Sequence, residues 1–325
     1  MQDAIPDSHL DPTTEISLET VKQKSVKGVT TLIARYFVLY GISFVAIIFL
    51  GSFLTPGEFG TFGVVSAAVS FLVYFSDIGL AASLVQKKEK VTDDDLRTTF
   101  TIQQGLVLVL LVLLFVFSKF ISREYGLTQD GLILLYALGV SFLLSSLKTI
   151  PSVLLERKLE FGRIALSHIL ENLVYYSLLV FLAWQGFGLK SYTVAVIVRS
   201  VVGLVSLYYL SPWTPKIGLS RNSLKNLLHF GLPYQINTLI AVLKDDGLAL
   251  VLGRIIGLDS FGILIWAQKW ANFPLRIFMD QVTKVTFPAF ARMQNEKEHL
   301  QKSVTRSVFF ICFLVFPSVI GLLVL

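Results

Sequence analysis

The chain has 325 residues, 54% of them hydrophobic and 15% charged, with a mean hydropathy of +0.69 and a formal net charge of +6. Soluble domains run near 45–50% apolar and about 25% charged, so this composition excludes a disordered chain, a collagen and nearly any soluble enzyme. The lone Cys312 excludes a disulfide scaffold, and lipid must cover the apolar surface that a soluble core could not bury.

Read from the start, Asp3, Asp7, Asp11, Glu15 and Glu19 precede any apolar run. That is the reverse of a signal peptide, and residues 1–27 are expected to form an acidic cytoplasmic tail. Mostly apolar stretches of about 20 or more residues follow at 29–51, 60–85, 98–120, 131–154, 164–185, 191–210, 232–256, 262–290 and 304–325. They are too long and too irregular in alternation for barrel strands, so each predicts a transmembrane helix. Turn signals separate them at Thr55-Pro56-Gly57, Gly186-Phe187-Gly188 and Ser211-Pro212-Trp213-Thr214-Pro215. Pro151, Pro274 and Pro317 fall inside helical runs and are expected to bend them. The expected fold is an all-α integral membrane protein, a polytopic helical bundle of about nine spans.

The basic residues lie in short clusters between these runs, the pattern of membrane loops and not of a nucleic-acid surface. If the N-terminus is cytoplasmic, the inner segments hold Lys22, Lys24 and Lys27; Lys87, Lys88, Lys90 and Arg97; Arg157, Lys158 and Arg163; Lys216, Arg221 and Lys225; and Arg292, Lys297, Lys302 and Arg306. The outer segments hold only Lys119, Arg123, Lys190 and Arg254. The positive-inside rule therefore predicts an N-inside orientation.

Leu50-Gly51 with Phe59-Gly60 recurs as Leu252-Gly253 with Phe261-Gly262, both pairs offset by the same distance of about 200 residues. Span one then maps onto span seven, and an even shift of helices keeps orientation, giving a parallel repeat. The expected organisation is an N-terminal lobe over 28–210, a cytoplasmic linker over 211–230 and a partial C-terminal lobe over 231–325. Two parallel six-helix lobes would need roughly three more helices than the sequence carries, which reads as a fragment or a product lacking them.

Charges within spans cost about 2.5–3.5 kcal/mol each at a helix centre, so they should face a protein interior or a watery cavity. The candidates are Arg35, Asp77, Lys148, Glu171, Arg199, Lys244, Asp245, Asp246, Lys269, Arg276, Asp280 and Lys284. Lys269, Arg276, Asp280 and Lys284 fall within a helical sector of about 80°. This stripe reads either as a buried ion-pair ladder or as a cavity-lining cationic surface for an anionic substrate. Arg35 and Asp77 read as partners for a neighbouring helix or as substrate or ion contacts. Asp245 and Asp246 read as a cation or proton site or as partners of Lys244, and Glu171 is equally open. Asp93-Asp94-Asp95 reads as the acidic first turn of a helix and not as a glycosyltransferase metal motif. His9, His168, His229 and His299 lack metal-ligand spacing, so neither a metal nor a cofactor is expected.

Several segments resemble the Wzx-type oligosaccharide flippases of the multidrug/oligosaccharidyl-lipid/polysaccharide exporter superfamily. They include Phe75-Ser76-Asp77-Ile78-Gly79-Leu80-Ala81-Ala82-Ser83-Leu84-Val85-Gln86, Leu54-Thr55-Pro56-Gly57-Glu58-Phe59-Gly60, Phe230-Gly231-Leu232-Pro233, Leu252-Gly253-Arg254 and Phe287-Pro288-Ala289-Phe290 with Arg292. The resemblance implies two six-helix lobes around a central cationic cavity that alternates between inward and outward access. It implies an undecaprenyl-pyrophosphate-linked oligosaccharide as cargo, flipped across the plasma (inner) membrane for surface polysaccharide. A polysaccharide polymerase and a chain-length protein would be its partners, alongside the bilayer. Arg35 and Lys269 fall where that family often carries basic residues. Arg276 and Lys284 complete the expected substrate-binding set, while Asp77, Asp245, Asp246 and Asp280 are the expected ion-coupling or structural partners. At Leu248 the sequence departs from an acidic position of the family. Alternatives are an exporter of another cargo on the same fold, such as lipid II or a drug. A membrane glycan polymerase or ligase would need a large outer loop, and the expected outer loops are short, so no enzyme is expected.

Overall fold

Long apolar runs without internal water must satisfy every backbone polar group within the segment, and the helix is the element that does so. The computed structural model describes residues 18–87, 89–272 and 297–324. Its helices are α1 (Leu18–Phe53), α2 (Pro56–Tyr74), α3 (Leu80–Gln86), α4 (Asp93–Glu124), α5 (Gln129–Leu147), α6 (Thr149–Arg157), α7 (Phe161–Trp184), α8 (Lys190–Leu210) and α9 (Arg221–Val242). A π turn over Leu243–Gly247 joins α9 to α10 (Leu248–Ile256). Residues 258–272 form α11, and α12 covers Lys297–Val324. No strand occurs among the described residues.

Among the described residues, seven helical stretches are long and apolar enough to cross a bilayer, which makes this a multi-pass membrane protein. Two of the nine expected spans are not among them. The stretch 232–256 is helical but interrupted by Lys244, Asp245 and Asp246 in the π turn, and 262–290 lies largely outside the described residues.

Capping follows the sequence signals. Thr55 and Glu58 form a capping box on α2, with Pro56 in the first turn. Thr92 and Asp95 do the same for α4, and Asp93, Asp94 and Asp95 are its acidic first turn. Lys87 adds an ion pair to Asp95 at 2.6 Å.

Two expected spans are broken helices. The run 60–85 divides at residues 75–79, where Asp77 accepts hydrogen bonds from the Ala81 backbone N–H at 3.1 Å and Ile78 and Gly79 adopt left-handed conformations. A Cβ on Gly79 would collide with the Gly231 carbonyl of α9, so the break is also a close crossing of two backbones. The run 131–154 divides at Lys148. Pro151 has no N–H to donate to the Leu147 carbonyl, and the helix restarts just before it.

The chain divides between Phe261 and Gly262 into two compact units. In the first, α7 packs against α1 and α8, and α5 packs against α8, α4 and α2. Leu50, Phe59, Val107, Leu134, Tyr175, Leu179 and Tyr192 belong to its main core. A second core at the end holding residues 87–92 joins Leu80, Leu96, Phe100, Ile150, Trp213 and Leu227. Residues 211–220 are fastened along the start of α4: Trp213 meets Phe100 edge-on at 5.2 Å, while the Gly218 and Ser220 backbone N–H groups donate to the Thr101 and Thr98 hydroxyls. The outward face of α4, including Leu108, Val109, Val112, Phe115 and Val116, is exposed and suited to lipid. In the second unit, α12 carries Pro317 inside an apolar helix with exposed Phe309, Phe313 and Phe316.

Residues 55–61 and 257–261 start their helices alike. The Phe59 N–H donates to the Thr55 carbonyl at 3.2 Å, and the Phe261 N–H to the Gly257 carbonyl at 3.0 Å, the matching positions of the two sequence copies.

Candidate functional site

The buried face of α7 contains Ser167, Glu171, Tyr175, Leu179 and Ala183, spaced by the helical repeat on a helix that packs against α8 and α1. A carboxylate in such a row needs a cation, and the structure supplies two. Lys148, at the α5–α6 break, donates to Glu171 Oε1 at 2.8 Å. Arg199 of α8 places Nε 3.9 Å from Glu171 Oε2 and lies over the Tyr175 ring at 5.2 Å from its centroid. The side chains of Glu171, Lys148 and Arg199 are 6%, 14% and 40% exposed.

The row needs room. A Cβ at Gly203, one turn beyond Arg199, would collide with the Glu171 carboxylate and stand 2.7 Å from Lys148 Nζ. Glycine at that position lets the ion pair form between packed helices. Hydrogen bonds between Ser141 and Ser200 at 2.5 Å and between Ser167 and Ser206 at 2.7 Å hold α5, α7 and α8 together around it.

At 1.5 Å per residue, Glu171 lies about 15 Å from the start of α7 and Arg199 about 14 Å from the start of α8, near the middle of a 30 Å apolar layer. Beside Glu171 is a cavity of about 600 Å³. It is lined by Asp77 and Gln86, by Ser145, Lys148, Ser152 and Glu156, and by Ser167, His168 and Glu171. Its charge is shared with α1: Arg35 is near enough for its field to reach both Glu156 and His168, and His168 also feels Glu171, Lys148 and Arg199.

Arg35 Nε is buried and has no hydrogen-bond partner among the described residues. Arg199 likewise donates no hydrogen bond there, since its approach to Glu171 is too long for one. Guanidinium groups carry five donors each and never deprotonate. Arg199 and Lys148, near mid-membrane around one paired carboxylate, and Arg35, close to His168 and Glu156 at the start of the α1 span, present more donors than that carboxylate takes up. Next to this cluster an apolar groove of about 820 Å³ runs between α1 and α7, walled by Ile42, Val45, Phe49 and Phe53 and by Leu173, Val180, Phe181 and Trp184. Tyr176 lines the groove and packs on Tyr175, which carries Arg199, so the groove and the cationic cluster adjoin.

The sequence-expected residues distribute unevenly. Asp77 lines the cavity and Arg35 borders it electrostatically. Asp245 and Asp246 do not line it; Asp245 pairs with Lys244 at 3.2 Å on an exposed part of the π turn. Lys269 is half-buried on α11 in the second unit. Arg276, Asp280 and Lys284 lie outside the described residues. His168 and Glu156 were not singled out by the sequence; the spacing of His168 three residues before Glu171 was the available signal. Among the described residues no group of three or more His, Cys, Asp or Glu is placed to hold a metal.

The sequence profile of a family described as "Polysaccharide biosynthesis protein" matches residues 49–325. The chain belongs to that family. Among curated relatives of this polysaccharide biosynthesis family, the chain is 26% identical over 287 residues to the succinoglycan biosynthesis transport protein ExoT of Rhizobium meliloti, covering 87% of this chain and 57% of the relative. It is 24% identical to the lipopolysaccharide biosynthesis protein WzxC of Escherichia coli, covering 94% and 62%. It is also 24% identical to the teichuronic acid biosynthesis protein TuaB of Bacillus subtilis, covering 86% and 58%. The chain thus spans about three fifths of the length of these relatives. A solved inward-facing MATE family multidrug transporter of the MOP superfamily matches with a TM-score of 0.62 at 16% identity, over 89% of this chain and 69% of that one. At that identity the match shows the fold alone, an all-α polytopic helical bundle.

Proposed function

We propose that the protein moves an anionic, lipid-linked oligosaccharide across the plasma membrane for surface polysaccharide synthesis, by alternating access. The single observation that carries this reading is Arg199, which makes no hydrogen bond among the described residues, set with Lys148 near mid-membrane, while Arg35, whose buried Nε has no partner there, stands at the start of the α1 span. A pyrophosphate offers the oxygens these donors lack. The adjoining apolar groove suits a hydrocarbon chain, so one ligand with a charged head and an apolar tail would occupy both. Membership of the polysaccharide biosynthesis family, and the names of ExoT, WzxC and TuaB, support glycan synthesis as the setting. Lys269, Arg276 and Lys284 are proposed as a second cationic set, and Asp77 and Asp280 as partners that limit the positive excess.

The test is export. In a host deleted for its own flippase, the full-length protein should restore surface polysaccharide and clear the lipid-linked precursor that accumulates inside. Clearance of a fluorescent drug with no movement of the precursor would instead favour a small-molecule exporter and overturn the reading.

The proposed orientation places the N-terminus and residues 86–97 in the cytoplasm. In a Cys312→Ser background, a cysteine at Thr92 is expected to resist a membrane-impermeant thiol reagent in intact cells, while one at Ser122 reacts. The reverse labelling pattern would invert the topology.

A further inference from the structure

Resting on the anion-transport reading above, we propose that Glu171 is a built-in counter-ion that occupies the cargo's place on Lys148 and Arg199 and sets how tightly the anion is held. Three observations carry this. Glu171 lies between the two cations, bonded to Lys148 at 2.8 Å and standing 3.9 Å from Arg199. It is the ion-pair partner of both, and no second carboxylate pairs with either among the described residues. It also borders the cavity, so its carboxylate can leave the pair without crossing a packed interface.

The geometry at Arg199 favours exchange. Its distance from Glu171 is too long for a hydrogen bond, and its other support is the face of Tyr175. Arg199 does not line the cavity, and Glu171 stands between the two; a phosphate oxygen that displaces Glu171 from the cavity side would reach Arg199 and gain charge-assisted hydrogen bonds that Glu171 does not make. It must compete with a fixed negative charge, which penalises weakly charged anions more than a pyrophosphate. When the cargo departs, Glu171 returns to Lys148 and the cations are not left bare in the membrane. The carboxylate therefore holds affinity down and speeds release, which a transporter needs as much as binding.

Inorganic pyrophosphate is the probe, titrated into the purified protein in lipid nanodiscs. Glu171→Gln keeps the side chain's shape beneath Gly203 and removes the competing charge. It is expected to bind pyrophosphate at least about tenfold tighter than the wild type and to show a larger ligand-induced rise in thermal midpoint. In cells the same variant should export more slowly at normal abundance, because release is retarded. Wild-type binding with no gain in Glu171→Gln overturns the role of Glu171 and leaves the anion site standing. Absence of binding to both overturns the anion reading itself. If Glu171→Gln does not accumulate, Glu171→Asp decides by the same comparison. It retains the charge but draws it back from Lys148, and an affinity equal to or below the wild type would reject the proposal.

Discussion

A protein carrying Lys148→Gln, Glu171→Gln and Arg199→Gln together is expected to lose export by at least about 100-fold while remaining abundant in the membrane. The three changes remove both cations and their carboxylate at once, so no buried charge is stranded. Charge-assisted hydrogen bonds are worth about 1.5–3 kcal/mol each, and two lost contacts to a phosphate amount to about two to four decades of affinity. The competing explanation, that the trio only holds α5, α7 and α8 together, makes the opposite forecast. Removing every charge of a buried pair together strands none of them, so a purely structural trio forecasts little change in export. Quantifying surface polysaccharide against protein level separates the two. Normal export by the triple variant would reduce the cluster to architecture.

Gly203→Val should be the most damaging single change in the first unit, costing about 3–5 kcal/mol. The new Cβ would enter the space of the Glu171 carboxylate and crowd Lys148 Nζ. Expelling one member of a buried pair leaves the other uncompensated, which is costlier than never having had the pair. Thermal unfolding in detergent measures the loss. A double variant, Gly203→Ala with Glu171→Ala, tests the cause, because removing the obstructed side chain should recover part of it. Independent, additive losses would show that the contact with Glu171 is not what Gly203 protects.

Helices were legible in this sequence where apolar length decides the matter. The spans at 98–120, 164–185 and 191–210 reappear within α4, α7 and α8, because nothing but a helix can satisfy backbone groups in lipid. Breaks were legible only with a local cue. Pro151 announced the one at Lys148. The one at residues 75–79 depends on Asp77 capping α3 and on Gly79 meeting Gly231, more than 150 positions away in sequence. The cationic site shows the same division. Lys269, Arg276, Asp280 and Lys284 drew attention because a helical repeat would set them in one stripe. Arg35, Lys148, Glu171 and Arg199 come from α1, the α5–α6 break, α7 and α8, and no spacing within one helix relates them. Each was visible as a costly charge, and only the packing of α7 on α8, with the α5–α6 break beside them, reveals that Lys148 and Arg199 share Glu171.

That packing bears on how the protein is made. Lys148, Glu171 and Arg199 belong to three consecutive spans, synthesised in that order. Entering lipid singly, each span would carry one bare charge, at about 2.5–3.5 kcal/mol apiece near the centre. Entering side by side, α5 with α6, α7 and α8 cancel much of that cost among themselves. The insertion machinery would then release these helices to the bilayer as a group, holding the first until the third has emerged, and the ion pair would act as a checkpoint in assembly before it ever meets a cargo.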